Sequence, residues 1–138
     1  MTNALSALDI SRTGLRVQRM RMDVIANNIA NATTTRTPEG GPFRRQMVVV
    51  EGSRYTGRRG EPLGSRVVNI VKDNSPFRTV YDPWHPDAND QGYVLYPNID
   101  IPVEMVNLML ASRAYEANVS VIQATKQINR GALDILRA

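Results

Sequence analysis

The sequence contains no cysteine. Disulfides therefore contribute nothing to the fold, and thiol nucleophiles, thiolate metal sites and redox pairs are excluded. Histidine occurs once, as His85, so a zinc centre built on it would have to recruit three carboxylates, a poor donor set for that ion. Lysine is nearly as scarce: Lys72 and Lys126 are the only two, and arginine supplies almost all of the formal charge of +4. Arginine makes planar, bidentate contacts to carboxylates and is weakly hydrated, which suits protein interfaces as well as nucleic acid. No apolar run is long enough to cross a bilayer, which argues against direct membrane insertion. The opening residues, MTNALSALDI, have neither the basic stretch nor the apolar core of a secretory signal peptide, so a route out of the cytoplasm would have to be a different one. There is no glycine-rich phosphate loop and no convergent acid, base and nucleophile set. The expectation is a protein that is not an enzyme and takes no cofactor.

What is present is a 138-residue chain with 42% hydrophobic residues, a composition that folds rather than staying disordered. Its long helical patterns lie at the two ends. From Ala4 to about Asn31, Leu5, Leu8, Leu15, Met22, Ile25 and Ile29 fall on one helical face. Leu8, Leu15, Met22 and Ile29 recur every seven residues, a coiled-coil spacing. Ile10, Val17 and Val24 form a second such series on nearly the opposite side. A helix on the surface of a globule needs one apolar stripe. Two stripes predict neighbours on both sides, more than one partner helix can cover.

From Pro102 to Arg137 the same pattern returns. Val103, Leu110, Ala114, Val121, Ile128 and Ile135 line one face, with Leu108, Tyr115, Ile122, Leu133 and Leu136 beside it. Pro102 and Glu104 suit a first helical turn, where a missing N–H is harmless and negative charge meets the dipole. Ala111, Ala114, Ala117, Ala124 and Ala132 allow other helices close approach. Two readings stay open at this point: an antiparallel helix pair with a generous seam, or assembly helices with surplus apolar surface.

Between the helices, Phe43–Gly52, Ser65–Asp73, Phe77–Asp82 and Gly92–Pro97 are short, β-branched and aromatic, and separated by Gly, Pro, Asn and Asp clusters. They predict short antiparallel strands, with SRYTGRRGEPLG as a mobile hairpin tip. The expected fold class is α+β: long N- and C-terminal helices forming a coiled-coil-like core, with a small antiparallel β-hairpin module between them. Its parts are an N-terminal assembly helix (1–32), an Asn/Thr/Gly hinge with the β module (33–101), and a C-terminal assembly helix (102–138). In VIANNIANATTTRTPEGG the asparagines end the helix, the threonines favour extended backbone, and Pro38, Gly40, Gly41 and Pro42 set a turn.

The remaining motifs are weaker. DPWHPD reads as a rigid proline-rich turn with Trp84 packed down. Asp87, Asn89, Gln91 and Gly92 partly imitate a calcium loop, but Gln91 and Asn98 stand where stronger oxygen ligands belong. Asn31-Ala-Thr33 and Asn118-Val-Ser120 match the glycosylation triplet inside or beside predicted helices. Arg44, Arg45, Arg54, Arg58, Arg59 and Arg66, near Phe43 and Tyr55, supply the alternative of a basic nucleic-acid-binding protein, although no recognised nucleic-acid motif accompanies them.

Three stretches carry a family resemblance. ANNIANATTTRTPEGGPFRRQ resembles the N-terminal signature of the bacterial flagellar axial (rod) proteins, and EMVNLMLASRAYEANVSVIQATKQINRGALDIL resembles their C-terminal one. YDPWHPDANDQGYVLYPNIDIPVEM is similar to the proximal-rod members of that family. Gly41-Pro42-Phe43-Arg44-Arg45 stands where other axial proteins usually have Gly-Tyr-Lys, which points away from the hook and distal-rod types. The resemblance implies a structural subunit of the proximal rod, polymerising with other rod proteins, proximal and distal, into a torque-transmitting drive shaft. It implies self-association within the rod, a rod–ring adaptor at the base, and no nucleic-acid partner. It also implies export by the flagellar type III apparatus without a cleaved signal peptide, to a basal-body rod that spans the periplasm. The residues expected at the assembly interface are Leu8, Leu15, Val17, Met22, Ile25, Asn27, Asn28, Ile29, Asn31, Leu110, Arg113, Tyr115, Asn118, Val121, Ile122 and Ile128.

Overall fold

The computed structural model describes residues 2–52 and 64–137. The expected hairpin tip, with Arg54, Tyr55, Arg58 and Arg59, and the side chain of Leu5 lie outside what is described. The element order is α1 (Thr2–Ala30), β1 (Gln46–Gly52), β2 (Ser65–Lys72), β3 (Arg78–Tyr81), β4 (Tyr93–Tyr96) and α2 (Ile101–Arg137). The α+β class holds, and each strand falls inside one of the four predicted segments.

Helix ends follow local chemistry. At the start of α2, Asp100 Oδ1 accepts from Val103 N–H at 3.2 Å and Asp100 O accepts from Glu104 N–H at 2.9 Å. An N-cap aspartate of this kind satisfies donors that have no partner inside the helix, and Pro102 sits where no N–H is needed. At the end of α1, Asn31 Nδ2 donates to Asn27 O at 2.9 Å while Ala32 N–H turns inward to Ile29 O at 3.2 Å. The chain then runs into a tight turn in which Thr37 N–H donates to Gly41 O at 2.8 Å and Gly40 N–H to Thr37 O at 2.9 Å. Gly40 and Gly41 hold φ of 89° and 74° there, values that a side chain would disfavour.

The two helices run antiparallel. Asn28 meets Glu104 and Gly14 meets Asn118, so the same fourteen residues separate the contacts on both helices. At this register Thr2 comes opposite Arg130, and α2 continues past the described part of α1. A Cβ added at Gly14 would lie 2.9 Å from Asn118 Oδ1, so a side chain there would press on α2. β1 and β2 form one antiparallel hairpin with a register shift between Val49 and Val50, and β3 and β4 form a second.

The first hairpin lies along α1. Ser65 N–H donates to Thr13 Oγ1 at 3.1 Å near one end, and Gln46 pairs with Asn28 at the other. α1 therefore packs against α2 and against both β1 and β2. Val17 and Val24 are buried, and Leu8, Leu15, Met22 and Ile29 are half-buried. The first helix thus has the expected neighbours on both sides, but the second is a β-hairpin rather than another helix, and Ile10 of the second stripe stays 43% exposed. A second correction concerns Trp84. It does not pack down but stands 94% exposed at the tip of its turn.

Candidate functional site

Among the described elements, α2 packs along α1 alone. Its seam runs through Glu104 and Ala111, which are buried, and through Leu108, Tyr115, Asn118, Ile122 and Thr125, which are half-buried. These positions follow a seven-residue repeat. The neighbouring apolar positions, Val103 and Leu110 in one heptad series and Val121, Ile128 and Ile135 in the next, are exposed, with Ile128 at 70% and Ile135 at 78%. Ala117, Ala124 and Gly131 fall between these residues at three- and four-residue steps and are exposed as well. The result is a continuous outward stripe of large residues separated by small ones, the spacing of a coiled-coil seam in which backbones can come close. Apolar stripes of this length on a water-facing helix mark interaction surfaces.

The sixteen expected interface residues divide accordingly. Leu110, Arg113, Val121 and Ile128 lie exposed on α2, and Asn27 is exposed on α1. Tyr115, Asn118 and Ile122 belong to the seam with α1, where they are half-buried, as are Leu8, Leu15, Met22, Ile29 and Asn31. Val17, Ile25 and Asn28 are buried within the chain itself.

Asn28 has an internal task. Its carboxamide imitates a strand partner: Oδ1 accepts from Gln46 N–H at 2.9 Å and Nδ2 donates to Gln46 O at 2.9 Å. Nδ2 also donates to Glu104 Oε2 at 3.1 Å. Arg45 Nε donates to the other oxygen, Glu104 Oε1, at 2.7 Å. The Arg45 guanidinium lies 3.6 Å from Asp73 Oδ2, and Arg45 N–H donates to Asn98 Oδ1 at 3.0 Å. Asn28 and Glu104 are each 1% exposed, so the carboxylate is buried and bonded on both oxygens. One polar knot therefore joins the end of α1, the start of β1, the end of β2 and the start of α2. Asp73 is held below the ordinary carboxylate value, chiefly because Ser75 donates to it from both Oγ and N–H, with Arg45 assisting.

Sequence reasoning took Glu104 only as a dipole partner and Arg45 only as one of a basic cluster. The available signal was phase: Glu104 stands one heptad before Ala111 and two before Asn118, so a charge occupies a seam position. Among the described residues there is no group of three or more His, Asp or Glu that could hold a metal ion, and no helix long and apolar enough to cross a membrane.

Similarity to known proteins bears on both ends of the chain. Residues 2–36 match the family described as flagella basal body rod protein, and residues 90–135 match the one described as flagellar basal body rod FlgEFG protein C-terminal. The chain is 45% identical to the flagellar basal-body rod protein FlgC of Borreliella burgdorferi, over 96% of this chain and 97% of the relative. It is 41% identical to that of Bacillus subtilis with the same coverage, and 41% identical to that of Yersinia enterocolitica over 90% of this chain and 91% of the relative.

Proposed function

As a member of the flagellar basal-body rod protein FlgC family, to which the chain belongs, this is a structural subunit of the flagellar rod, and we propose that it assembles through the outward stripe of α2. The carrying observation is the exposed run Leu110, Val121, Ile128 and Ile135, an apolar seam that no described part of the chain covers. Packed against helices of neighbouring subunits, such stripes repeated around a tube make a stiff shaft that transmits torque. The proposed interface comprises the exposed members Asn27, Leu110, Arg113, Val121 and Ile128. The remaining expected residues, from Leu8 to Ile122, act through it by holding the helix pair and the hinge in shape. In this reading the chain occupies the proximal, periplasm-spanning part of the rod. Its neighbours are further copies of itself, other proximal and distal rod proteins, and a rod–ring adaptor at the base. The type III export apparatus delivers it without cleavage. Residues 1–32 and 102–138 then serve as assembly segments around the 33–101 module.

Among the described residues, the arginines behind the nucleic-acid alternative are engaged within the chain. Arg45 is committed to Glu104 and Asp73, Arg66 to Glu51 at 3.2 Å, and Arg44 stacks 4.2 Å from the Phe77 ring centroid. Replacing Val121 with Asp in the native gene tests the proposal, since a charge placed in an apolar seam is strongly unfavourable. The expected result is a protein that is made and secreted but absent from purified basal bodies, with motility lost. Normal incorporation of Val121→Asp would overturn it.

A further inference from the structure

Helix α2 contains a glycine that no described neighbour in the chain requires. Gly131 lies inside the helix without a positive φ, a place where glycine costs about 1 kcal/mol relative to alanine. A Cβ added to it would meet nothing within 4 Å. Gly14 of α1 is the contrast, because a Cβ there would press on Asn118 across the helix pair. One glycine is accounted for by a close neighbour in the same chain. The other has open space above it.

Gly131 belongs to a pattern. Laid out as coiled-coil core positions, the outward face of α2 has Val103, Leu110, Ala117, Ala124 and Gly131 in one series. Asn107, Ala114, Val121, Ile128 and Ile135 form the other. The first series passes from large to small along the helix, and the second reaches its large β-branched residues where the first has become small. A partner for residues 117–135 must set large side chains over Ala117, Ala124 and Gly131 and leave room for Val121, Ile128 and Ile135. A second α2 does both. The outward face of α1 does neither: it carries Asp9, Arg12, Arg16, Arg19 and Asp23, all exposed, and an apolar seam laid on these charges would strip them of water. The exposed positions flanking the seam on α2 hold Arg113 and Asp134 as their only charges, one of each sign, so identical copies bring no net charge to it.

Resting on the reading above that this stripe is the assembly surface, we propose that the α2 helices of neighbouring copies pair along it in parallel, with a stagger of half a heptad, about 5 Å at 1.5 Å per residue. Copies related by one repeated screw operation share a polarity, so the helices meet in parallel. In register, Val121, Ile128 and Ile135 would confront their own images and the small residues would face each other, giving overfilled layers alternating with voids. The stagger sets Ile128 of one copy level with Gly131 of the next, whose own Ile128 comes level with Ala124 of the first. Such a contact has no two-fold axis, so it propagates instead of closing. A seam about 50 Å long and about 10 Å wide covers about 500 Å², less than the roughly 800 Å² per partner of a stable complex. Free chains therefore stay apart, and the pairing exists only in the polymer.

The lack of native cysteine makes disulfide trapping a clean test. Full-length Ile128→Cys and Ala124→Cys chains are expressed together in the flagellated bacterium in place of the native chain, and purified basal bodies are oxidised and their dimers mapped by mass. The mixed 128–124 disulfide is expected to exceed the 128–128 disulfide about tenfold, because bonding needs Cβ atoms about 3.5–4.5 Å apart. Neither is expected in dilute purified protein. A dominant 128–128 disulfide overturns the stagger. No dimer in basal bodies that hold both chains overturns the pairing of α2 with α2 and leaves the subunit role intact, the stripe then being covered by a different protein. Where this pair is kept out of the rod, Val121→Cys with Ala117→Cys, the same contact one heptad earlier, is read in the same way. Absence of the unaltered chain from basal bodies overturns both the pairing and the subunit role.

Discussion

α1 and α2 have closely similar composition and meet different fates. The 29-residue α1 is packed by α2 and by the first β-hairpin, so most of its two apolar stripes, Ile10 excepted, finds cover inside one chain. Among the described elements the 37-residue α2 meets α1 alone, and its stripe from Val103 to Ile135 faces water. At about 1.5 Å per residue they span roughly 43 and 55 Å, so α2 also outruns its partner. The amount of apolar surface on a helix and the amount the chain can use are separate quantities. Their difference is what a subunit offers its neighbours.

The largest test of this contrast compares one charge on each helix. Ile25→Asp buries an unpaired carboxylate and removes a core side chain, so the isolated protein is expected to lose about 5 kcal/mol or more. Val121→Asp is expected to leave its thermal melt unchanged within error. Equal losses in calorimetry would show that the outer stripe of α2 is internal after all. Glu104→Ala comes next. It removes an acceptor from Arg45 Nε and from the Asn28 amide at a buried site, with an expected loss of about 3 kcal/mol by chemical denaturation, while Glu104→Gln should cost less because one carbonyl acceptor remains. A loss below about 1 kcal/mol for the alanine variant would mean that the knot does not organise the junction.

Hydrogen exchange sharpens the comparison further. Amides of residues 131–137, beyond the described partner, should exchange first, and those of 104–118 last, with a difference on the order of 2 kcal/mol in opening free energy. Uniform protection along α2 would contradict the register. The smallest effect concerns acid. Asp73 titrates below its ordinary value, so the folded state favours its charged form. Its contribution is complete above the usual carboxylate range near 4 and fades as pH falls through the lower folded value. The Asp73→Asn variant should therefore show a shallower acid destabilisation, confined to the hairpin side of α1.

Both helices, the four strands and the turn at Gly40 and Gly41 were legible in the sequence, because periodicity and turn chemistry are local. The choice between the stripes of α2 was not. Val103, Leu110 and Val121 read as apolar as Leu108, Tyr115 and Ile122, and only the register with α1 separates them. Asn28 read as a helix stop, since its partner Glu104 lies 76 residues away. Trp84 read as packed because large aromatics usually are. Its exposure follows from a turn short and rigid enough to hold the ring away from the small β3–β4 hairpin.

The Asn28–Arg45–Glu104 knot also bears on how fast the molecule can form. Each helix can wind locally in about a microsecond or less, and the first hairpin needs little more. The bond that registers α1 against α2 bridges 76 residues, and closing so long a loop carries an entropic cost that grows with its length. Contacts of such high contact order set folding rates. The slow step is then the capture of Glu104 by groups that the hinge has already gathered. That contact is what fixes the register of α2 on α1, and with it the direction in which the outer stripe faces.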